Sequence, residues 1–176
     1  MTTYVLAGGC FWCLDAVFRR LKGVESSLCG YAGGSPQDAS YYKVANGTTA
    51  HAESVQVTFD ETVIPSETLL AIFFLIHDPT SLNKQGADKG PQYASKMFYA
   101  TDEQKAAFET ASTRAQAYYD KPIVTIIEKL EAFYLAEPEH QDYFDNNPQN
   151  PYCPVVISPK IAKARKEYST WFLQDT

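Results

Sequence analysis

A two-layer α/β (α+β) sandwich, a mixed sheet with helices packed on it, is the fold class that three observations predict. The chain has 176 residues, the size of one domain able to bury roughly two thirds of its unfolded surface. Strand-like and helix-like segments alternate at first and then intermix, the pattern of helices on a mixed sheet. The composition, 45% hydrophobic and 20% charged with no low-complexity block, is that of an ordered globular chain. Neither an internal repeat nor a composition shift divides it, so a single domain over 1–176 is expected.

Tyr4 to Ala7 is β-prone and runs into Gly8 and Gly9, after which Phe11, Leu14, Phe18 and Leu21 recur at helical spacing until Gly23. That reads as strand, tight turn, helix. Cys29 falls in a strand before Gly30. Ser54 to Phe59 alternates, with Val55, Val57 and Phe59 on one face, as a half-buried strand does. Pro65-Ser66-Glu67 offers a helix start with Ser66 as N-cap, followed by the apolar face of Leu69, Leu70, Phe73 and Phe74. Lys96 to Ala100 predicts a short strand, and Thr101-Asp102-Glu103-Gln104 has capping-box order ahead of Phe108, Ala111, Ala115 and Tyr118 at helical spacing. Ile123 to Glu128 and Phe133 to Leu135 read as strands, and Pro159 to Phe172 as a C-terminal helix whose Lys and Arg form a solvated face. The stretches Gly30 to His51 and Asp78 to Tyr93 are non-periodic and rich in Gly, Pro, Ser, Asn and Tyr. Loops that long in a compact domain usually carry function.

The net charge of −6 supplies no field that attracts phosphate backbones, so nucleic acid is not an expected partner. The longest apolar run, Leu69 to Ile76, is far shorter than the ~18 residues a membrane helix needs. Met1 to Cys10 has no basic n-region and too short an apolar stretch for a secretory signal, and Leu6-Ala7-Gly8-Gly9-Cys10 carries one Gly too many for a lipoprotein cleavage site. A cytoplasmic location is the expectation. The four cysteines at 10, 13, 29 and 153 are too few and too unevenly spaced for a disulfide-stapled scaffold, which leaves metal binding or thiol chemistry.

Gly9-Cys10-Phe11-Trp12-Cys13 places a sulfur at the mouth of a predicted helix, where unpaired backbone N–H groups favour an anion. Thiol pKa values fall at such positions, and the thiolate is the nucleophile. Gly8 and Gly9 allow a sharp turn and leave the sulfur approachable, while Phe11 and Trp12 could line an apolar pocket. Three other readings stay open on the residues alone. Cys10 and Cys13 could be small buried hydrophobes, or zinc ligands together with Cys153 and a histidine, or the CxxC of a general thiol-disulfide oxidoreductase. Trp12 inside the pair does not suit the last, and one CxxC without a second close pair is weak metal evidence.

Gly9-Cys10-Phe11-Trp12 resembles the signature of the peptide methionine sulfoxide reductase A family. The likeness continues in order through Gly30-Tyr31-Ala32-Gly33-Gly34, Gly47 to Glu53, His77-Asp78-Pro79-Thr80 onward to Gln92-Tyr93, and Glu139-His140-Gln141 near Tyr152-Cys153. What the resemblance implies is a single catalytic domain with a ferredoxin-like core. Its activity would be reduction of the S epimer of methionine sulfoxide, free or in proteins, without metal or organic cofactor and with thioredoxin or a similar reductant as partner. By position it makes Cys10 the nucleophile, Glu53 the acid and Phe11 with Trp12 the methyl-binding wall. Tyr41, Asp88 and Tyr93 match the family positions that bind or orient the sulfoxide oxygen.

Those roles are chemically coherent. A sulfoxide is a poor electrophile until its oxygen is protonated or strongly hydrogen-bonded. Glu53 supplies the proton if its pocket keeps it protonated, and the phenols of Tyr41 and Tyr93 donate without carrying charge. Attack by Cys10 leaves a sulfenic acid that a second thiol converts to a disulfide. His51 is expected to brace the loop beside Glu53, and Cys29 to be an inert core thiol. For the resolving thiol, Cys153 in the Pro-rich stretch Asn150-Pro151-Tyr152-Cys153-Pro154 is preferred on the resemblance, in a loop mobile enough to bring sulfur to sulfur. Cys13, three residues after Cys10, is the backup or a relay. The chain departs from the family pattern at Asp15 (mostly Glu), Ala50 (Gly), Ala87 (Asn) and Ala94 (Arg), none a proposed catalytic group.

Overall fold

Two strands rich in small and β-branched residues, β1 (Thr2–Gly8) and β3 (Ala52–Phe59), form the centre of the sheet in the computed structural model, which describes residues 1–174. They pair antiparallel from Thr2↔Phe59 to Leu6↔Val55. β2 (Val24–Ala32) adds antiparallel to β3 and β6 (Ser95–Tyr99) antiparallel to β1. The outer strands β7 (Ile126–Lys129) and β8 (Phe133–Leu135) join β6 in parallel and β2 antiparallel. The result is a six-stranded mixed sheet in the order β7-β6-β1-β3-β2-β8. A separate hairpin, β4 (Lys84–Gln85) with β5 (Asp88–Lys89), lies within the long stretch 78–93.

The period-two alternation of the strands divides the core. Tyr4, Leu6, Cys29, Tyr31, Val55, Val57, Phe59 and Met97 face the helices α1 (Phe11–Phe18), α3 (Ser66–Leu75), α4 (Asp102–Ala115) and α6 (Ser158–Glu167). On the other face only Val5, Ala7, Ala32, Ala52 and Phe98 cluster, under Leu130 and Phe133. Glu53 shares the register of Val55 and Val57, so it points to the helical side and lies opposite Tyr31 on β2. This parity puts an acid beneath the start of α1.

Several boundaries differ from the sequence reading, each for a tertiary reason. α1 stops at Phe18 and not at Gly23, because the chain turns back through Gly23 (φ +84°) to begin β2; Leu21 is still buried, by a bridge to Phe172. α3 begins at Ser66 itself with Pro65 at the cap, so Ser66 is not the capping side chain. The C-terminal helix ends at Glu167 and a 3₁₀ turn over Ser169–Trp171 swings Phe172 onto Leu21. The strand expected over 123–128 is pairing only over Ile126–Lys129. The stretch 30–51 contains the end of β2 and a short helix α2 (Tyr41–Ala45), whose cap Ser40 accepts from the Lys43 amide at 3.4 Å. Ahead of α4 the expected cap forms: Thr101 Oγ accepts from the Gln104 amide at 3.2 Å, and the Gln104 side chain accepts from the Ala100 amide at 2.9 Å.

Gly30 is demanded by the β2–β8 pairing. A Cβ there would lie 2.2 Å from the Phe133 ring and 2.5 Å from the Tyr134 carbonyl oxygen, and the latter is backbone that cannot rotate away. Gly30→Ala is therefore expected to destabilise the protein by about 1–3 kcal/mol, as overpacking does, read as a lower denaturation midpoint at unchanged slope. An unchanged midpoint would mean that β8 is free to shift.

Candidate active site

Gly9 makes the turn from β1 into α1 with φ +89°, and a Cβ there would meet Gln85 Cγ at 2.6 Å. Gln85 is itself fixed, its amide group bonding the backbone of Asp78 on both sides at 2.8 and 2.6 Å. The chain is thus clamped against the 78–93 segment just before Cys10, which occupies the N-cap of α1 without a side-chain cap bond. The first free helical amide, Phe11 N–H, donates to Glu53 Oε1 at 3.1 Å. The positive end of α1 therefore serves the carboxyl group on β3.

That arrangement corrects the expectation of an acidified Cys10. Cys10 is 9% exposed, and burial, then the neighbouring Cys13 and Glu53, push its thiol well above the ordinary range. Cys13 moves the other way. The neighbouring Cys10 lowers it most, with Lys160 and the Tyr152 hydroxyl adding to the effect against burial. Glu53 is pushed up to about 8 by burial and by Asp88, only partly offset by the Phe11 amide, so it holds its proton at neutral pH. Tyr41 is pushed up to about 12 by burial and then by Glu53, and Tyr93 rises for the same reasons, so both phenols stay neutral donors. The fold thus brings Cys10, Glu53, Asp88, Tyr41 and Tyr93 into one electrostatic neighbourhood, where the charge of each acts on the others.

The aromatic wall is built from distant segments. Phe11 is fully buried, with Tyr41 stacked at 6.4 Å and Tyr31 at 5.8 Å between ring centroids. One face of Trp12 is covered at 3.6 Å by Tyr143 of the short helix α5 (Tyr143–Asn146), the rings nearly parallel at 4°, and its indole N–H donates to His140 Nδ1 at 3.1 Å. Glu137 ties this wall together, accepting from Tyr31 Oη at 2.7 Å and from the Tyr41 amide at 2.9 Å. Tyr152 Oη donates to Asp88 Oδ2 at 2.8 Å and lies 3.8 Å from Cys13 Sγ. Sequence reasoning named none of Tyr143, Tyr152 or Glu137 as site residues. The sole local signal was their position beside the Glu139-His140-Gln141 and Tyr152-Cys153 blocks.

Two other expectations concern bracing groups and the far thiol. His51 is buried and bonds Gly34 N and Ser35 O at 3.2 and 2.7 Å, bracing the loop as expected, and Cys29 is a buried thiol with its pKa raised by burial, directed to Phe11 O at 3.7 Å. Cys153 does not sit in an open loop. It starts a π-type turn, Cys153–Ile157, leading into α6, is 2% exposed and directs its thiol to Asn147 O at 3.4 Å. Pro154 follows a residue already in helical geometry, and Ile157 anchors the turn in the core. Among the departures, Asp15 is buried and pairs with Arg19 at 3.2 Å, Ala94 is buried with its amide bonded to Pro91 O, and Ala50 and Ala87 are exposed. Among the described residues no group of three or more His, Cys, Asp or Glu side chains could hold a metal ion, and no helix is long and apolar enough to cross a membrane.

A protein-family model described as peptide methionine sulfoxide reductase matches residues 2–171. The peptide methionine sulfoxide reductase MsrA of Paenarthrobacter aurescens is 56% identical over 171 residues, covering 97% of this chain and 98% of that one. Among solved structures, Mxr1 from Saccharomyces cerevisiae in its reduced form matches with a TM-score of 0.82 at 37% identity, covering 87% of this chain and 89% of that chain. Mxr1 in complex with Trx2 matches with a TM-score of 0.57 at 27% identity, covering 81% and 84%.

Proposed function

The chain belongs to the peptide methionine sulfoxide reductase family, and from that premise we propose how its own residues reduce the sulfoxide. The reaction is reduction of methionine sulfoxide by thiol chemistry, with the S epimer as substrate. One observation carries the assignment of roles: Glu53, buried and protonated, is held by the amide that follows Cys10. Acid and nucleophile therefore reach a bound sulfoxide from the same turn.

In this reading Glu53 gives its proton to the sulfoxide oxygen, with Tyr41 and Tyr93 as further donors, while Cys10 sulfur attacks. The sulfoxide S–O bond breaks and the oxygen ends on Cys10 as a sulfenic acid. Methionine sulfur is reduced, Cys10 sulfur is oxidised, and the thiol proton returns to Glu53, so the step is neutral overall. Phe11 and Trp12 take the methyl side, on the part of the wall that Tyr143 leaves uncovered, and Asp88 orients the polar side. Cys10 and Cys13 lie one helical turn apart, the Cys13 amide donating to Cys10 O at 3.1 Å, and line one cavity that Cys153 does not, which supports Cys13 as first partner of the sulfenic acid and Cys153 as the thiol that takes the disulfide on.

Thioredoxin then reduces the disulfide, a partner supported by the yeast relative having been solved with Trx2. Thiol turnover of this kind suits a reducing, cytoplasmic compartment. The order β6-β1-β3-β2, with α1 and α3 as crossovers, supports a ferredoxin-like core within one catalytic domain. The alternatives of a general CxxC oxidoreductase or a zinc module are not favoured.

The experiment is turnover of separated methionine sulfoxide epimers with dithiothreitol, paired with dimedone trapping in the Cys13→Ser/Cys153→Ser double variant. Only the S epimer should be consumed, and one dimedone adduct should map to Cys10. Equal consumption of both epimers, or an adduct elsewhere, would refute the assignment.

A further inference from the structure

A cavity of ≈140 Å³ adjoins Cys10, lined by Cys10, Cys13, Asp88, Tyr152, Val156 and Lys160 among others. Lys160 is the cation on its wall. It lies two residues into α6, which packs on α1, and it is half-buried. Its Nζ donates to Ile76 O at 2.7 Å, the carbonyl that caps α3, so the ammonium is tethered where a helix C-terminus favours positive charge. A free surface lysine would spread its charge through solvent; this one is tethered on the wall of the cavity that Cys10 and Cys13 also line.

We propose that Lys160 is a positioning residue of the recycling half of the cycle, its ammonium on the cavity wall holding Cys13 as the thiolate that closes the first disulfide with Cys10. The proposal rests on the reading of Cys13 as first partner. The titratable groups that act on Cys13 or on which it acts are Cys10 at the start of α1, Cys29 on β2, Glu53 on β3, Asp88 on β5, Tyr152 and Cys153 ahead of α6, and Lys160 on α6. Glu53 is neutral near pH 7, and Lys160 is the cation that acts on Cys13 against the opposing charge of Asp88. Its direction agrees with the lowered Cys13.

The step balances without an outside oxidant. Cys13 thiolate forms the S–S bond, the S–O bond of the Cys10 sulfenic acid breaks, and the oxygen leaves as water with a proton from Glu53. Cys13 sulfur is oxidised as the sulfenic sulfur is reduced.

The test is made in the full chain carrying Cys153→Ser, so that closure with Cys13 is observed alone. One equivalent of methionine sulfoxide is added, and methionine release and thiol loss are followed separately against pH. Lys160→Met should slow closure about three- to tenfold at pH 7, because a thiolate fraction about tenfold smaller is partly offset by a more nucleophilic sulfur. It should slow methionine release far less. The closure profile should move to higher pH, with the variant matching or overtaking the parent once both thiols are ionised. Lys160→Arg should restore the parent profile, which a loss of packing would not predict. A Lys160→Met closure profile superimposable on that of the parent would overturn the role of Lys160 while leaving Cys13 as partner. If no Cys10–Cys13 bridge forms in the Cys153→Ser parent, the reading beneath it fails and the proposal with it.

Discussion

Replacing Cys10 by Ser is expected to lower sulfoxide reduction by at least about 10⁴-fold, because removal of an attacking nucleophile removes the reaction path itself. A hydroxyl at this position is not ionised near neutral pH and has no counterpart of the sulfenic acid. The fold should survive, since the Cys10 side chain caps nothing and the Phe11 amide keeps its bond to Glu53. Single-turnover measurement separates the roles. The Cys13→Ser/Cys153→Ser variant should release about one methionine per chain and stop, whereas Cys10→Ser should release none. Release of one equivalent by Cys10→Ser would move the nucleophile to Cys13.

Glu53→Gln is expected to slow the first methionine release by about 10²-fold or more while weakening substrate binding much less, as loss of a general acid does. The pH dependence follows from the pKa of about 8. The proton that Glu53 supplies is present below that value and lost as pH rises through it, so the parent rate should fall across this range and the Gln variant should lack that limb. Stability runs in the same direction. A carboxyl whose folded pKa is raised favours the fold fully below its ordinary value of 4.5, and that contribution is lost as pH rises toward 8. Glu53→Gln should thus be no less stable than the parent at pH 9, distinguishing lost chemistry from lost structure. Stopped-flow release unchanged in the variant would assign the acid elsewhere, with Asp88 next.

How much was legible divides by physical range. Local signals were reliable where neighbours in sequence decide the outcome: the glycine turn before α1, the Thr101 cap of α4, the alternation of β3 that hides Val55, Val57 and Phe59. They failed at α1's end and at Cys153, where packing against Phe172 and burial of Ile157 decided the backbone. The acidity of Cys10 was misjudged for a related reason. A helix N-terminus acidifies a thiol only if the thiol is the group it faces, and here Phe11 N–H is given to Glu53, forty-two residues away in sequence.

By itself the sequence determined the mixed α/β class, the strand-turn-helix that presents Cys10, and, through motifs in order along nearly the whole chain, the family and the residue types its chemistry uses. These follow from periodicity, turn residues and side-chain chemistry, which are properties of short segments. Only the tertiary structure decided that Tyr143 covers Trp12, that Tyr152 joins Asp88 to Cys13, and that Lys160 lines one cavity with the two sulfurs. Each depends on which distant elements share a wall and how much water they exclude. Protonation is set there, because the same carboxyl or thiol changes its pKa with burial and neighbouring charge that no local pattern encodes.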